Sequence, residues 1–253
     1  MNPPKSDEPK PFIVDDGSVR RLYFNLDYVQ SEMRLDQPYT LNLAYTRKMM
    51  AFLLFVPQPR HVVIVGLGGG SLTKFCYRQL PRTRITTVEI DRDVIGFGEM
   101  FHLPPEDARL QIVHADAVEY FAATREQADV VLFDGCDRQG IAAAFCTEDF
   151  YRSVHLRLRA GGLLVTNLVG TEPDVERHVR HIAAVFRGRV MIQNVGADGN
   201  QLAFAFKDPA FRPDWTAIQA AAKRLAQQHG LNFPVLVRKL RHSRQFQTAA
   251  RGR

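Results

Sequence analysis

His61-Val-Val-Ile-Val-Gly-Leu-Gly-Gly-Gly-Ser-Leu72 is an apolar, β-branched run that ends in a glycine-rich turn. The run reads as a buried strand, and a helix should begin near Gly70. Glycines serve such a turn in two ways: they accept positive φ, and without a Cβ they let a ligand approach the backbone. A second strand, Thr86-Thr-Val-Glu-Ile-Asp91, follows. It brings Glu89 to a point about twenty residues past the turn, where an acid can accept hydrogen bonds from both hydroxyls of a ribose. Strand, turn, helix and acid-ended strand together predict a nucleoside-binding unit.

The pattern continues outward. Gln111-Ile-Val-His-Ala-Asp116-Ala117 and Asp129-Val-Val-Leu-Phe-Asp134 are two further strands closing on acids. Open α/β sheets bind ligands at the carboxyl ends of their strands, so Glu89, Asp116 and Asp134 fall in one row. Each acid taken alone could be a helix cap or a turn residue. A dinucleotide turn would carry its third glycine at position 71, where this chain has Ser71, and that departure speaks against NAD.

Strands are expected near 61–66, 84–89, 109–113, 129–134, 161–168, 188–195 and 200–207. They alternate with helices, so the fold class is α/β with a doubly wound, mostly parallel seven-stranded, Rossmann-like sheet. Gly196-Ala-Asp-Gly-Asn200 is too short for a crossover and makes the last two strands an antiparallel hairpin. Before the sheet, residues 1–10 should be a disordered tail. Residues 11–56 should hold a short β region turning at Asp15-Asp-Gly17 and a linking helix over Tyr45–Phe55, stopped by Pro57 and Pro59. The nucleoside-binding unit spans 57–210. Residues 211–253 form a helical extension, with a helix over Trp215–Gln228 and Gly230 as its stop, and a basic tail.

Bulk properties bound the alternatives. The chain has 253 residues, 45% hydrophobic content and a net charge of +6, which suits a globular domain with an ordinary core. Its longest apolar stretch, Met49–Val56, is too short to cross a bilayer. The polar start at Met1–Pro11 lacks the core of a signal peptide, which predicts a cytoplasmic protein. Cys76, Cys136 and Cys146 show no paired spacing and read as reduced thiols. The densest basic run, Arg238-Lys-Leu-Arg-His-Ser-Arg244, reads as a solvated terminal helix or frayed tail, and the absence of a nucleic-acid module speaks against RNA or DNA as a partner. Asp174, His178 and His181 lie at helical spacing but read as a solvated helix face, so no metal site is expected.

A parallel sheet finished by an antiparallel hairpin is the layout of class I S-adenosylmethionine-dependent enzymes. From Gln30 to Lys207 the chain resembles the spermidine synthase family, the aminopropyltransferases built on that methyltransferase fold. The resemblance rests on Val29-Gln30-Ser31, the glycine turn, Val88-Glu89-Ile90-Asp91, Asp116-Ala117, the Asp134/Asp137 pair, and Phe145-Cys-Thr-Glu-Asp-Phe-Tyr151. It implies Gly66, Gly68, Gly69 and Gly70 at the nucleoside, Glu89 on its ribose, Asp116 with Ala117 at the adenine edge, and Gln30 nearby. It also implies Asp134 beside the reacting amine and Asp137 on a second ammonium. The implied donor is decarboxylated S-adenosylmethionine or S-adenosylmethionine itself, without a metal. The implied acceptor is an amine or other small molecule, and a homodimer is implied by family only.

Three departures bear on the chemistry. The turn aspartate that in the family grips the donor amine is Gly69 here, which favours an intact donor and hence methyl transfer. The family's Tyr-His-Glu stretch aligns with Tyr45-Thr46-Arg47, and Arg47, if it faces the pocket, would repel a polycation. The proline after the aspartate pair is Arg138. Aminopropyl transfer leads on the strength of Asp134 and Asp137; methyl transfer and a non-catalytic nucleoside-binding protein are the alternatives. Gln139–Ala144 is a candidate lid.

Overall fold

Every residue of His61–Val65 is buried, the setting that a strand apolar on both faces requires. The computed structural model describes residues 10–25, 29–137, 140–141, 143–196 and 200–246. The elements run β1 (Phe12–Asp15), β2 (Val19–Tyr23), β3 (Val29–Arg34), α1 (Ala44–Met49), β4 (His61–Val65), α2 (Ser71–Gln79), β5 (Arg84–Glu89), α3 (Arg92–Gly96) and β6 (Leu110–His114). They continue with α4 (Ala117–Ala123), β7 (Ala128–Phe133), β8 (Cys136–Asp137), β9 (Gly140–Ile141), α5 (Glu148–Arg157), β10 (Leu158–Leu168) and α6 (Glu172–Val185). The last are β11 (Val190–Asn194), β12 (Gln201–Phe206), α7 (Trp215–His229), α8 (Phe233–Arg241) and β13 (Arg244–Phe246).

The main sheet has the order β13-β11-β12-β10-β7-β4-β5-β6. β10, β7, β4, β5 and β6 are parallel neighbours, and β12 runs against both β10 and β11. These are the seven expected strands and the expected hairpin. The eighth is β13, which pairs antiparallel with β11, Ile192 opposite Arg244; of the two readings of the basic run, solvated terminal helix or frayed tail, the helix is the one observed, in α8. The pleat splits the core into two layers. Val62 and Ile64 face a cluster shared with α2, α7 and α8, while Val63 and Val65 face one shared with α4, α5 and α6.

The N-terminal strands form a separate antiparallel sheet, β1-β2-β3, turned at Gly17 with φ +84°. Leu22 and Met33 of this sheet pack with Leu67, Val94 and Phe101, which docks β3 against the glycine turn. The expected helix over Tyr45–Phe55 divides into α1 and a 3-10 turn, Met50–Leu54, whose residues are all buried. Among the described residues no helix is long and apolar enough to cross a membrane.

Candidate functional site

Two backbone hydrogen bonds bring the strand ends level. Gly66 N donates to Val88 O at 2.9 Å, and Asp134 N donates to Val65 O at 2.9 Å. The chain after β4 thus runs between those leaving β5 and β7. Gly66 holds φ +90°, and a Cβ there would sit 2.4 Å from the Asp134 carbonyl oxygen, backbone against backbone. Packing of the turn on Asp134 by itself requires a glycine here. Gly68 and Gly70 also have positive φ, and Gly70 stands at the N-cap of α2. A Cβ at Gly69 would meet the Phe101 ring and Ser31 Oγ, each at 2.7 Å. The volume that an aspartate would need is therefore filled by these two side chains.

Glu89 ends β5, buried, with Oε2 accepting from Leu67 N at 2.7 Å and Oε1 from Asp91 N at 2.9 Å. The two amides fix the carboxylate on the glycine turn, and each oxygen retains a further lone pair for a hydroxyl donor. Burial raises the pKa of Glu89, against the lowering effect of these amides. Asp116 is half-buried and caps α4 through Val118 N at 2.7 Å; Ala117 is the first, buried residue of that helix. Ala115 N donates to Glu89 O at 3.0 Å, which sets the end of β6 beside the end of β5. Gln30 lies half-buried on β3, but alternation puts its neighbour Ser31, not Gln30, against the glycine turn.

Asp134 lies just beyond the end of β7 and accepts two side-chain hydrogen bonds. Tyr45 from α1 donates its hydroxyl to Oδ2 at 3.0 Å, and Asn167 from β10 donates Nδ2 to Oδ1 at 2.9 Å. Asn200, preceding β12, donates to Asn167 Oδ1 at 3.4 Å. Burial pushes the Asp134 carboxyl above its ordinary range, while Asn167 and Tyr45 pull it down. The arrangement is an oriented carboxylate at the glycine turn, flanked by neutral hydrogen-bonding groups. Sequence reading singled out Asp134 but gave no role to Asn167, Asn200 or the Tyr45 hydroxyl. Asn167 carried a signal of the same kind as Asp134, a polar residue near the carboxyl end of a buried strand.

Arg47 does not stand at this carboxylate. Its guanidinium donates to the carbonyls of Leu41 and Asn42, just before α1. The α1 cation turned toward the sheet is Lys48, whose buried ammonium donates to the Val195 carbonyl at the end of β11. Asp137 lies in β8, which pairs with β9 directly after Asp134; its side chain, Arg138, Gln139 and Ala142 fall outside the described residues.

The residues weighed for a metal are placed otherwise. His178 is buried, with its Nδ1 2.8 Å from the Tyr151 hydroxyl, and burial lowers its pKa to about 4. Asp174 binds Thr171 and Arg177, while His181 approaches Glu148 at 3.9 Å. A solvated helix face therefore does not describe His178, which ties α6 to α5. Among the described residues no group of three or more His, Cys, Asp or Glu could hold a metal ion. Cys76 is buried and its thiol is pushed up to about 12, an inert packing residue.

Comparison with known proteins agrees with this geometry. The family model for the spermine/spermidine synthase domain matches residues 42–193. A polyamine aminopropyltransferase of Neisseria meningitidis is 35% identical over 235 residues, covering 92% of this chain and 89% of that protein. The structure of a probable spermidine synthase from Corynebacterium glutamicum superposes with a TM-score of 0.73 at 19% identity, covering 96% of this chain and 95% of that one. A spermidine synthase solved with the transition-state analogue AdoDATO superposes at TM-score 0.65 and 20% identity, covering 90% of this chain and 82% of that one. The matched segment holds the glycine turn, Glu89, Asp116 and Asp134, so the chain belongs to the spermine/spermidine synthase family and is an aminopropyltransferase.

Proposed function

We propose that this enzyme moves the aminopropyl group of decarboxylated S-adenosylmethionine to a small amine held at Asp134. The observation that carries the reading is the Asp134 carboxylate, fixed by Tyr45 and Asn167 at the edge of the glycine turn. The nucleoside lies along the turn Gly66, Gly68, Gly69 and Gly70, with Glu89 on the ribose hydroxyls, Asp116 and Ala117 at the adenine edge, and Gln30 closing the side. The AdoDATO complex of a structural neighbour supports this donor.

The reaction needs little from the protein beyond alignment. The amine lone pair forms a bond to the methylene next to the sulfonium. That carbon–sulfur bond breaks, its electron pair goes to sulfur, and a neutral thioether leaves. The new secondary ammonium sheds a proton, which Asp134 accepts or relays to water. A carboxyl raised by burial is a better acceptor than a free aspartate with its pKa of about 3.9, although orientation and charge stabilisation still contribute more. Asp137 holds the far ammonium of a diamine acceptor. The same reading implies a cytoplasmic homodimer; a monomer in sedimentation velocity would remove the dimer.

Isothermal titration with S-adenosylmethionine, its decarboxylated form and methylthioadenosine tests the donor, and turnover of Asp134→Asn tests the site. The expected results are preference for the decarboxylated donor and a fall in kcat of about 10²–10⁴ with donor affinity retained. Preference for the intact donor would return the reading to methyl transfer, the direction in which Gly69 points. Unchanged turnover in D134N would remove Asp134 from the mechanism.

A further inference from the structure

The charge of the chain is divided unevenly. Residues 209–253 hold nine of the 33 Lys and Arg and one acid, Asp214, a net +8; the other 208 residues hold 24 basic and 26 acidic residues, a net −2. The whole positive excess therefore lies in the C-terminal extension. Three of the nine are displayed side by side on one folded helix. α8 buries Phe233, Leu236, Val237 and Leu240 against the core and leaves Arg238, Lys239 and Arg241 exposed.

Several surface arginines elsewhere find carboxylates: Arg20 with Asp15, Arg21 with Asp16, Arg34 with Asp36, Arg84 with Glu126, and Arg152 with Glu148. Among the described residues, Arg238, Lys239 and Arg241 have no such partner. A surface hollow of about 330 Å³ lies between the helices, lined by Gln219 of α7 and by Pro234, Val235, Arg238, Arg241 and His242. His242 Nδ1 donates to the Arg238 carbonyl at 2.8 Å, which directs the other ring nitrogen away from the helix. Guanidinium groups one turn apart beside a hollow form a surface suited to successive phosphates.

We propose that this face of α8 binds the phosphate backbone of nucleic acid without reading its sequence. None of the exposed large apolar residues lies on α7 or α8, so the face has nothing to insert into a lipid surface and no anchor for a peptide helix. Among the described residues it also lacks an exposed aromatic on which unpaired bases would stack, which favours a duplex over a single strand. From sequence the run reads as a solvated terminal helix or frayed tail; α8 is that helix, and the pairing of β13 after it fixes where the run lies.

Fluorescence anisotropy of the full chain with a labelled mixed-sequence RNA duplex of about 20 base pairs tests the proposal. Engagement of about three phosphates predicts about a 40-fold loss of affinity from 50 to 200 mM salt. The variant R238Q/K239Q/R241Q is expected to bind at least about tenfold more weakly at the lower salt, with a shallower salt slope, while R238K/R241K keeps most of the affinity. Aminopropyl transfer should be unchanged in both, which reports an intact fold; if the triple variant fails to fold, R241Q alone should reduce the salt slope by about one. No binding at the lower salt, or undiminished binding by the triple variant or by R241Q in its place, would overturn the assignment. Stronger capture by phosphatidylserine vesicles or by polyglutamate would likewise transfer the face to another class of partner.

Discussion

Lys74 is the most constrained ionisable residue behind the donor side of the site. It is 1% exposed, and its ammonium donates to the Phe101 carbonyl at 2.6 Å and the Met33 sulfur at 3.1 Å, with no carboxylate bonded to it. Burial lowers its pKa from 10.5 to about 8. Below pH 8 the residue is charged in both folded and unfolded chains, and the full cost of burying the charge opposes folding. Between pH 8 and 10.5 the folded chain releases its proton first, so stability rises with pH in that window. Lys74→Met lacks this contribution. Urea unfolding should therefore show the stability of wild type relative to K74M improving by about 3 kcal/mol from pH 7 to pH 10.5, and a constant difference would refute the account.

At the scale of elements, the glycine turn is held between β3 and Phe101, and that contact replaces the family's turn aspartate. Gly69→Asp should destabilise the protein by about 1–3 kcal/mol, because its side chain would overlap Phe101 and Ser31. Adding Phe101→Leu should recover part of the loss; failure of the second change to help would mean that Phe101 is not what excludes the acid. The proposed nucleoside half of the site was legible in the sequence because it is local: Gly66, Glu89 and Asp116 each terminate a β-branched run, as does Asp134 on the proposed acceptor side. The acceptor half was less legible because it is assembled across the chain. Tyr45 meets Asp134 across 89 residues and Lys48 meets Val195 across 147. Periodicity could place Tyr45 and Arg47 on one helix, yet it did not show that the hydroxyl turns toward the carboxylate while the guanidinium turns back to Leu41 and Asn42. Pairing of Arg244–Phe246 was equally hidden, since three residues carry too little pattern to read as a strand.

For the whole molecule, the family match ends at residue 193, but the core does not. Ile218, Ala222 and Leu225 of α7 and Phe233, Leu236, Val237 and Leu240 of α8 share one cluster with Phe52, Ile64 and Phe204. The six larger side chains contribute about 1.5–3 kcal/mol each by burial, together comparable to the about 5–15 kcal/mol net stability of a whole domain. A chain ending after Lys207 is therefore expected to be insoluble or unfolded, as read by size exclusion and circular dichroism. A folded, active product of that length would show that the extension is dispensable.

The margins of the main sheet bear on how the protein behaves when crowded. A strand with one unpaired side is a template onto which another chain can stack, and hydrophobic strands are the most hazardous. On one side β13 takes up the outer groups of β11 from Val190 to Ile192. On the other, the Ile112 amide of β6 is occupied by the Glu106 carboxylate at 2.7 Å. A negative charge on one rim and a short strand of the chain's own on the other act as gatekeepers against fibril-like growth. The three residues of β13 thus protect that rim out of proportion to the area they bury, and a proteolytic nick after Ser243 is expected to turn the enzyme into a seed for self-association.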